Sequence, residues 1–296
     1  MIKYVLTDLQ RITHGAVFDT ITRETFNHVD VVLPPLHEQR AIAHILGTLD
    51  DKIELNRKMN ETLEAMARAI YKSWFVDFDP VRAKAAGRAP AVPNEIADLF
   101  QDSFEDSELG EIPKGWHTDT LGNILELAYG KALKAAVRRP GPIPVFGSNG
   151  QVGWHNEKLT EGPGIVVGRK GNPGIVTWVH TDFFPIDTTF YVVPKGECRS
   201  LYFLFYALQA EDLASLGADS AVPGLNRNLA YMNEQVVPPP DVLNAFDKQV
   251  QPLFKRIYQN TKESSTLAAL RDTLLPKLIS GKLYVSVVNG VMDTLA

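Results

Sequence analysis

The sequence predicts an α+β protein, with one mixed α/β globular domain and two long helices forming an antiparallel coiled coil. Three observations carry this expectation. A heptad seam runs through Leu36–Pro80, a β-rich stretch punctuated by glycine and proline follows it, and the seam then returns in the same register near the C-terminal end.

In the first helical stretch, Ile42, Leu46, Leu49, Ile53, Leu63, Ala67, Ile70 and Trp74 alternate steps of four and three, with Asn56 and Asn60 in the two intervening slots. This is the period a helix needs to keep one narrow stripe against a partner helix. Gly47 is the one internal glycine, a cost of about 1 kcal/mol against alanine. From Glu38 to Phe75 such a helix spans roughly 55 Å at about 1.5 Å per residue.

A shift of 204 residues without gaps lays Arg23 on Arg227, Val32 on Val236 and Pro34-Pro35 on Pro238-Pro239. In the same register Ile42 meets Phe246, Leu46 meets Val250, Leu49 meets Leu253, Ile53 meets Ile257, Asn56 meets Asn260 and Leu63 meets Leu267. The unit "strand end, Pro-Pro, heptad helix" therefore occurs twice. A polar Asn on an apolar seam costs stability but fixes register. If the helices pack antiparallel about a pseudo-two-fold axis, Asn56 and Asn260 are expected to touch near the crossing point.

Around these helices the chain divides as follows. Residues 1–35 read as short strands and turns ending in VDVVLPP, too short to hold a core. They are the expected remnant of a first globular domain. Residues 36–80 are the first spacer helix, and 81–112, rich in Ala, Pro, Gly and acids, are a linker with a short helix at Asn94–Phe100. Residues 113–240 form the globular domain, with β-rich runs GIVVGR, GIVTWV and TTFYVV and one helix over Leu201–Leu216. Residues 241–282 hold the second spacer helix, read as Phe246–Ile279 with Gly281 as its stop signal. Residues 283–296 are a tail.

Composition excludes several classes. No run of eighteen or more apolar residues exists, so no membrane-spanning helix is expected, and MIKYVLTDLQ lacks a signal-peptide core. The expected compartment is the cytoplasm. The single cysteine, Cys198, excludes an internal disulfide framework and a multi-cysteine zinc site, and reads as a semi-buried side chain. The net charge of −5 argues against a uniformly basic nucleic-acid binder, so any such role rests on a local patch.

Several stretches carry a family resemblance. PPLHEQRAIAHILGTLDDKIELNRKMNETLEAMARAIYKSWFVDFDPVRAK resembles the central conserved region of the specificity (S) subunit of type I restriction-modification enzymes. DSELGEIPKGW (Asp106–Trp116) resembles the start of that family's second target-recognition domain. VVGRKGNPGIV, DTTFYVV and AVPGLNRNLAYMNEQVVPPP resemble segments of such domains, and LRDTLLPKLISGKL (Leu270–Leu283) resembles the C-terminal conserved region. The likeness covers about residues 14–284.

The resemblance implies a non-catalytic subunit that needs no cofactor and no metal. In the family, two target-recognition domains each read one half of a bipartite site on double-stranded DNA. Two antiparallel helices separate them as a ruler and dock methyltransferase (M) subunits, and the assembly recruits motor-nuclease (R) subunits. This sequence departs from that pattern in lacking nearly all of a first recognition domain. The implied options are a homodimer reading a palindromic site, a pairing with another S chain, or a remnant.

The expected DNA contacts lie in the 113–240 domain. Between Gly130 and Asn172, Lys131, Lys134, Arg138, Arg139, Lys158, Arg169 and Lys170 face two acids, Glu157 and Glu161. Such an excess is what phosphate contacts require, although a solvated loop would show it too. In Gly168–Gly174, Arg169, Lys170 and Asn172 can reach phosphates or base edges. In Gly147–Gln151, Ser148, Asn149 and Gln151 offer similar chemistry, with Asn and Gln suited to adenine. Either loop is equally compatible with a tight turn. Asn226, Arg227 and Asn228 read as structural, because Arg227 repeats Arg23. Trp116, Trp154 and Trp178 read as core rather than base-stacking.

A phosphate-binding P-loop, a dinucleotide fingerprint, H-E-x-x-H, Cys-x-x-Cys, G-x-S-x-G and an amino-methyltransferase Pro-Pro-aromatic motif are all absent from the sequence. Methylation and cleavage are therefore expected of partners. The competing readings are a coiled-coil scaffold without DNA binding and a nuclease hidden in the β-rich domain.

Overall fold

The computed structural model describes residues 34–216, 224–283 and 285. The chain divides into two compact units, residues 63–256 and the remainder on either side. The expected remnant lies outside the described residues except for Pro34 and Pro35, and the tail does so apart from Leu283 and residue 285.

The larger unit takes the end of helix α1 (Leu36–Phe75) from Leu63 onward, where Tyr71, Trp74 and Phe75 are buried. The chain turns through Phe78, in the left-handed region at φ 54°, into α2 (Asp79–Ala85), with Pro80 in the first turn, where a missing N–H costs nothing. Short helix α3 (Asn94–Ala97) follows. The segment read as a linker is thus packed into this unit. Val81 and Phe100 are buried, and Phe100 meets Trp74 edge-on with centroids 5.2 Å apart. A few large apolar side chains set among Ala and Pro carry no periodic signal, yet each fills a place in the core.

Next come β1 (Phe104–Ser107) and β2 (Gly110–Pro113), a hairpin; β3 (His117–Thr120); α4 (Leu121–Ile124); and β4 (Leu125–Tyr129). Strands β5 (Ile143–Gly147), β6 (Gly150–His155), β7 (Gly164–Gly168), β8 (Val176–Val179), β9 (Phe184–Pro185) and β10 (Thr189–Pro194) complete the β-rich stretch. They form an antiparallel four-stranded sheet, β4-β10-β7-β8, and a three-stranded sheet, β6-β5-β9, with β5 and β9 parallel. Strand β7, read GIVVG, is buried along its whole length, as expected of an apolar run in a sheet interior.

Helix α5 (Leu201–Ala210) is shorter than expected. The chain leaves it at Glu211, whose carboxylate accepts hydrogen bonds from Asn233 and Gln235, and residues 213–216 form a turn. Then come α6 (Arg227–Tyr231), β11 (Glu234–Val237), which pairs with β3, and α7 (Pro240–Ile279). Helix α7 starts six residues before Phe246, with Pro240 as its first residue.

The core between these elements is aromatic. Phe246 is fully buried, with Phe75 edge-on at 4.9 Å, and Phe75 meets Phe203 at 5.1 Å. Ser200 caps α5, its Oγ accepting from the Phe203 N–H at 3.0 Å while hydrogen-bonded to the Asp247 carboxylate. Burial pushes the Asp247 carboxyl up to about 6, against the opposing effect of the Ser200 bond. Burial, then the nearby Asp247, push the Cys198 thiol up to about 12, which makes it a poor nucleophile near neutral pH.

The smaller unit holds the remaining parts of α1 and α7. Ile42, Ile45 and Leu278 are buried together, with Leu46, Leu274 and Leu283 packed on them. Ile45 lies outside the heptad seam yet is buried with it. Asn56 and Asn260 are 0% and 1% exposed. The Asn56 Nδ2 donates to the Asn260 backbone carbonyl at 3.4 Å, Glu263 Oε2 at 2.8 Å and Ser264 Oγ at 3.3 Å. Asn260 Nδ2 donates to Asn60 Oδ1 at 2.8 Å. Arg271 bonds Asp50 at 2.6 Å, and Asn60 reaches the Ile257 carbonyl at 3.5 Å, so partner numbers fall as residue numbers rise. Among the described residues, no helix is long and apolar enough to cross a membrane.

Candidate nucleic-acid interface

The turn between β5 and β6 and the loop between β7 and β8 meet at their tips. Gly147 pairs with Gly150, leaving Ser148 and Asn149 as the turn, and the side chains of Asn149 and Asn172 are hydrogen-bonded to each other. The second loop folds back over its own first residue, Gly168, where a Cβ would lie 2.1 Å from the Asn172 carbonyl oxygen, so only glycine fits. A third segment joins at Gly130, where a Cβ would lie 2.1 Å from the Ile186 carbonyl oxygen. That close pass places Lys131, whose N–H bonds the Pro185 carbonyl at 3.1 Å.

Arg169 is held from several sides. Its N–H bonds the Thr188 carbonyl at 2.9 Å, its own carbonyl accepts from Leu225 at 2.9 Å, and its Nη1 donates to the Asp187 carbonyl at 3.1 Å. Lys170 donates its N–H to Thr188 at 3.0 Å and bridges to Gly224, leaving its side chain exposed. The structure therefore brings Lys131, Ser148, Asn149, Arg169, Lys170 and Asn172 to one neighbourhood.

The other expected residues are placed differently. Arg138 spends its guanidinium on the fold, with Nη1 donating to the Val152 carbonyl at 2.7 Å and Nη2 to Leu133 at 3.4 Å. Gln151 turns back on the Gly153 carbonyl at 3.3 Å. The Arg139 N–H bonds the buried His155 Nδ1 at 3.1 Å, and the side chains of Arg139 and Lys134 are exposed. Lys158 is paired with Asp182 at 2.8 Å and Glu161 at 3.2 Å, and these bonds hold its ammonium above the usual lysine range. The local positive excess is therefore smaller than the sequence suggests, since Asp182 lies outside the counted segment.

Two aromatic residues, Trp154 and Tyr129, are more exposed than local sequence predicts. Trp116 is buried, and Trp178 stacks on Tyr202 at 4.7 Å, but Trp154 is 55% exposed, because β6 is an edge strand and His155 faces inward in its place. Tyr129 carries no mark of its own in the sequence. Period-two alternation puts it on the side of buried Leu125 and Leu127, yet at the strand's end it is 48% exposed. Arg227, by contrast, is built into the fold: its Nη1 donates to the Leu127 carbonyl at 3.3 Å, and Asn226 caps α6 through Oδ1.

Comparison with known proteins places this architecture. The type I restriction modification DNA specificity domain matches residues 1–65. The HindI specificity subunit of Haemophilus influenzae is 26% identical over 92% of this chain and 72% of its own length. The MjaIX specificity subunit of Methanocaldococcus jannaschii is 27% identical over 94% of this chain and 66% of its own length. The crystal structure of a type I restriction-modification S subunit from M. genitalium superimposes with a TM-score of 0.61 at 22% identity, covering 94% of this chain and 70% of that one. These matches span both long helices and the β-rich domain between them, so over nearly its whole length the chain is similar to specificity subunits of type I restriction enzymes.

Proposed function

We infer that this chain is the DNA sequence-recognition subunit of a type I restriction-modification system, reading a half-site with residues 113–240. The observation that carries this reading is the meeting of three loop segments that gather Lys131, Arg169 and Lys170 beside the amides of Asn149 and Asn172. Cations that neutralise phosphates supply affinity, and neighbouring amides offer the paired donor and acceptor that base edges require. The chain is a non-catalytic subunit, with methylation and cleavage carried out by partner subunits.

The long helices are proposed to form an antiparallel coiled coil that spaces half-sites and docks methyltransferase subunits, with motor-nuclease subunits joining through the complex. The falling order of partners, from Asp50–Arg271 to Asn60–Ile257, supports the antiparallel arrangement, and Asn56 and Asn260 are its proposed register pair. A second copy of the chain is proposed to read the other half-site, which in a homodimer makes the site palindromic.

The test is co-expression with a methyltransferase subunit, mass measurement of the complex, and titration of duplex carrying its mapped methylation site at several salt concentrations. Lys131→Ala with Lys170→Ala is expected to flatten the log–log salt slope by about 2, at about 0.9 per lost phosphate contact. An unchanged slope removes both residues from the interface. A complex without affinity for duplex would favour a coiled-coil scaffold instead.

A further inference from the structure

Beside the loop cluster runs a line of alternating cations and aromatic rings. The Arg169 guanidinium lies over Tyr129 at 4.7 Å and Phe190 at 5.7 Å. Arg227 lies over the same Tyr129 at 4.7 Å and over Tyr231 at 5.6 Å, and Lys195 continues to the far ring at 5.7 Å. Strand pairing fixes the rings: Tyr129 is opposite Phe190, with centroids 5.0 Å apart, and the Tyr231 hydroxyl accepts the Leu127 N–H at 2.8 Å.

Two guanidiniums against one ring repel each other, and the ring's negative faces offset that repulsion. Arg227 is fixed by Leu127, and Arg169 by Asp187 and by backbone bonds on either side. Tyr129 is the piece they share, and it is half-exposed beside the loops proposed to meet DNA. A guanidinium clamped in one pose can tell one base edge from another, because the bidentate pair it offers to guanine O6 and N7 depends on angle. A loosely held one supplies charge without that discrimination.

We propose that Tyr129 is a specificity-determining positioning residue, holding Arg169 in the single orientation in which it reads a base edge of duplex DNA. The inference rests on the functional reading above. It separates two properties that a simple basic patch would lose together: Tyr129 sets discrimination, and the charges set affinity.

The experiment measures binding of the complex with its methyltransferase subunit to duplex carrying the mapped methylation site and to a duplex with one base pair of the half-site changed, at several salt concentrations. Tyr129→Leu is expected to lower the ratio of the two affinities about tenfold while the salt slope stays the same. Tyr129→Phe keeps the ring and should stay within about twofold of the wild type. Adding Tyr129→Leu to Arg169→Ala should cost no further discrimination, since both changes remove one unit. If Tyr129→Leu fails to fold, Arg169→Lys, which keeps the charge but loses the planar stack, is expected to show the same loss of ratio at an unchanged slope. An unchanged ratio in the Leu variant, an equal loss in the Phe variant, or additive losses in the double variant would overturn the positioning role alone. A wild-type complex that does not prefer its own methylation site overturns the functional reading, and this role with it.

Discussion

Each long helix changes character along its length. In the larger unit the facing surfaces of α1 and α7 are built from big rings, with Phe246 against Tyr71, Trp74 and Phe75. In the smaller unit the same two helices meet through Ile42, Ile45 and Leu278 and then through Asn56, Asn60, Asn260, Glu263 and Ser264. The rings bury large areas and supply stability with weaker directional demands than hydrogen bonds make. The amide cluster buries little apolar surface and depends on alignment, because the two N–H groups of Asn56 Nδ2 are shared among three acceptors on α7 while its buried Oδ1 is left without a partner. The proposed division is that one stretch holds the helices together and the other decides how they line up.

The strongest way to break this comparison is Phe246→Ala. Losing a fully buried ring that touches three other rings is expected to cost about 3–5 kcal/mol, read as a drop in the urea midpoint of the complex or the isolated chain. A loss below about 1 kcal/mol would mean that the aromatic stretch is not where stability resides.

A sharper test sits on the polar side. Asn56→Ala strands the acceptors around its amide and is expected to cost about 1–3 kcal/mol. Asn56→Leu combined with Asn260→Leu is expected to be neutral or stabilising, since apolar replacements of a buried polar pair often are. The double variant should nevertheless lose unique alignment, visible as a broadened distance distribution between spin labels at positions 50 and 271. A narrow distribution would remove the register role from the pair.

The two sides also differed in how far they could be read from sequence. The seam from Ile42 to Trp74 and its echo at Phe246 were legible because a helical period sustained over forty residues is a redundant signal. Asn56 and Asn260 stood out as the same polar exception in both copies. Val81 and Phe100 did not, because isolated core residues in a Pro- and Ala-rich segment repeat nothing. The loops proposed to meet DNA are half legible. Arg169, Lys170 and Asn172 were marked by residue type, but Arg138 and Lys158 have the same chemistry and are consumed by Val152 and Asp182. Tyr129 and Trp154 are not legible, because exposure at a strand's end or edge depends on which strands pair, a long-range fact that local alternation cannot carry.

The smallest expected effect probes a titratable carboxyl set into the aromatic side. Asp247, on α7, is hydrogen-bonded to Ser200 and sits near Cys198 and Tyr202. Burial raises its carboxyl from 3.8 to about 6, so between those values the folded protein holds a proton that the unfolded chain has released. Stability from this group is therefore fully present below pH 4, declines as pH rises toward 6, and is flat above that. Asp247→Asn keeps a partner for Ser200 and removes the titration. Its melting temperature relative to wild type should rise steadily from pH 4 to pH 6 and then hold constant. A difference independent of pH would mean that the carboxylate is already solvated in the folded state, and the aromatic stretch would then be less dry than its rings imply.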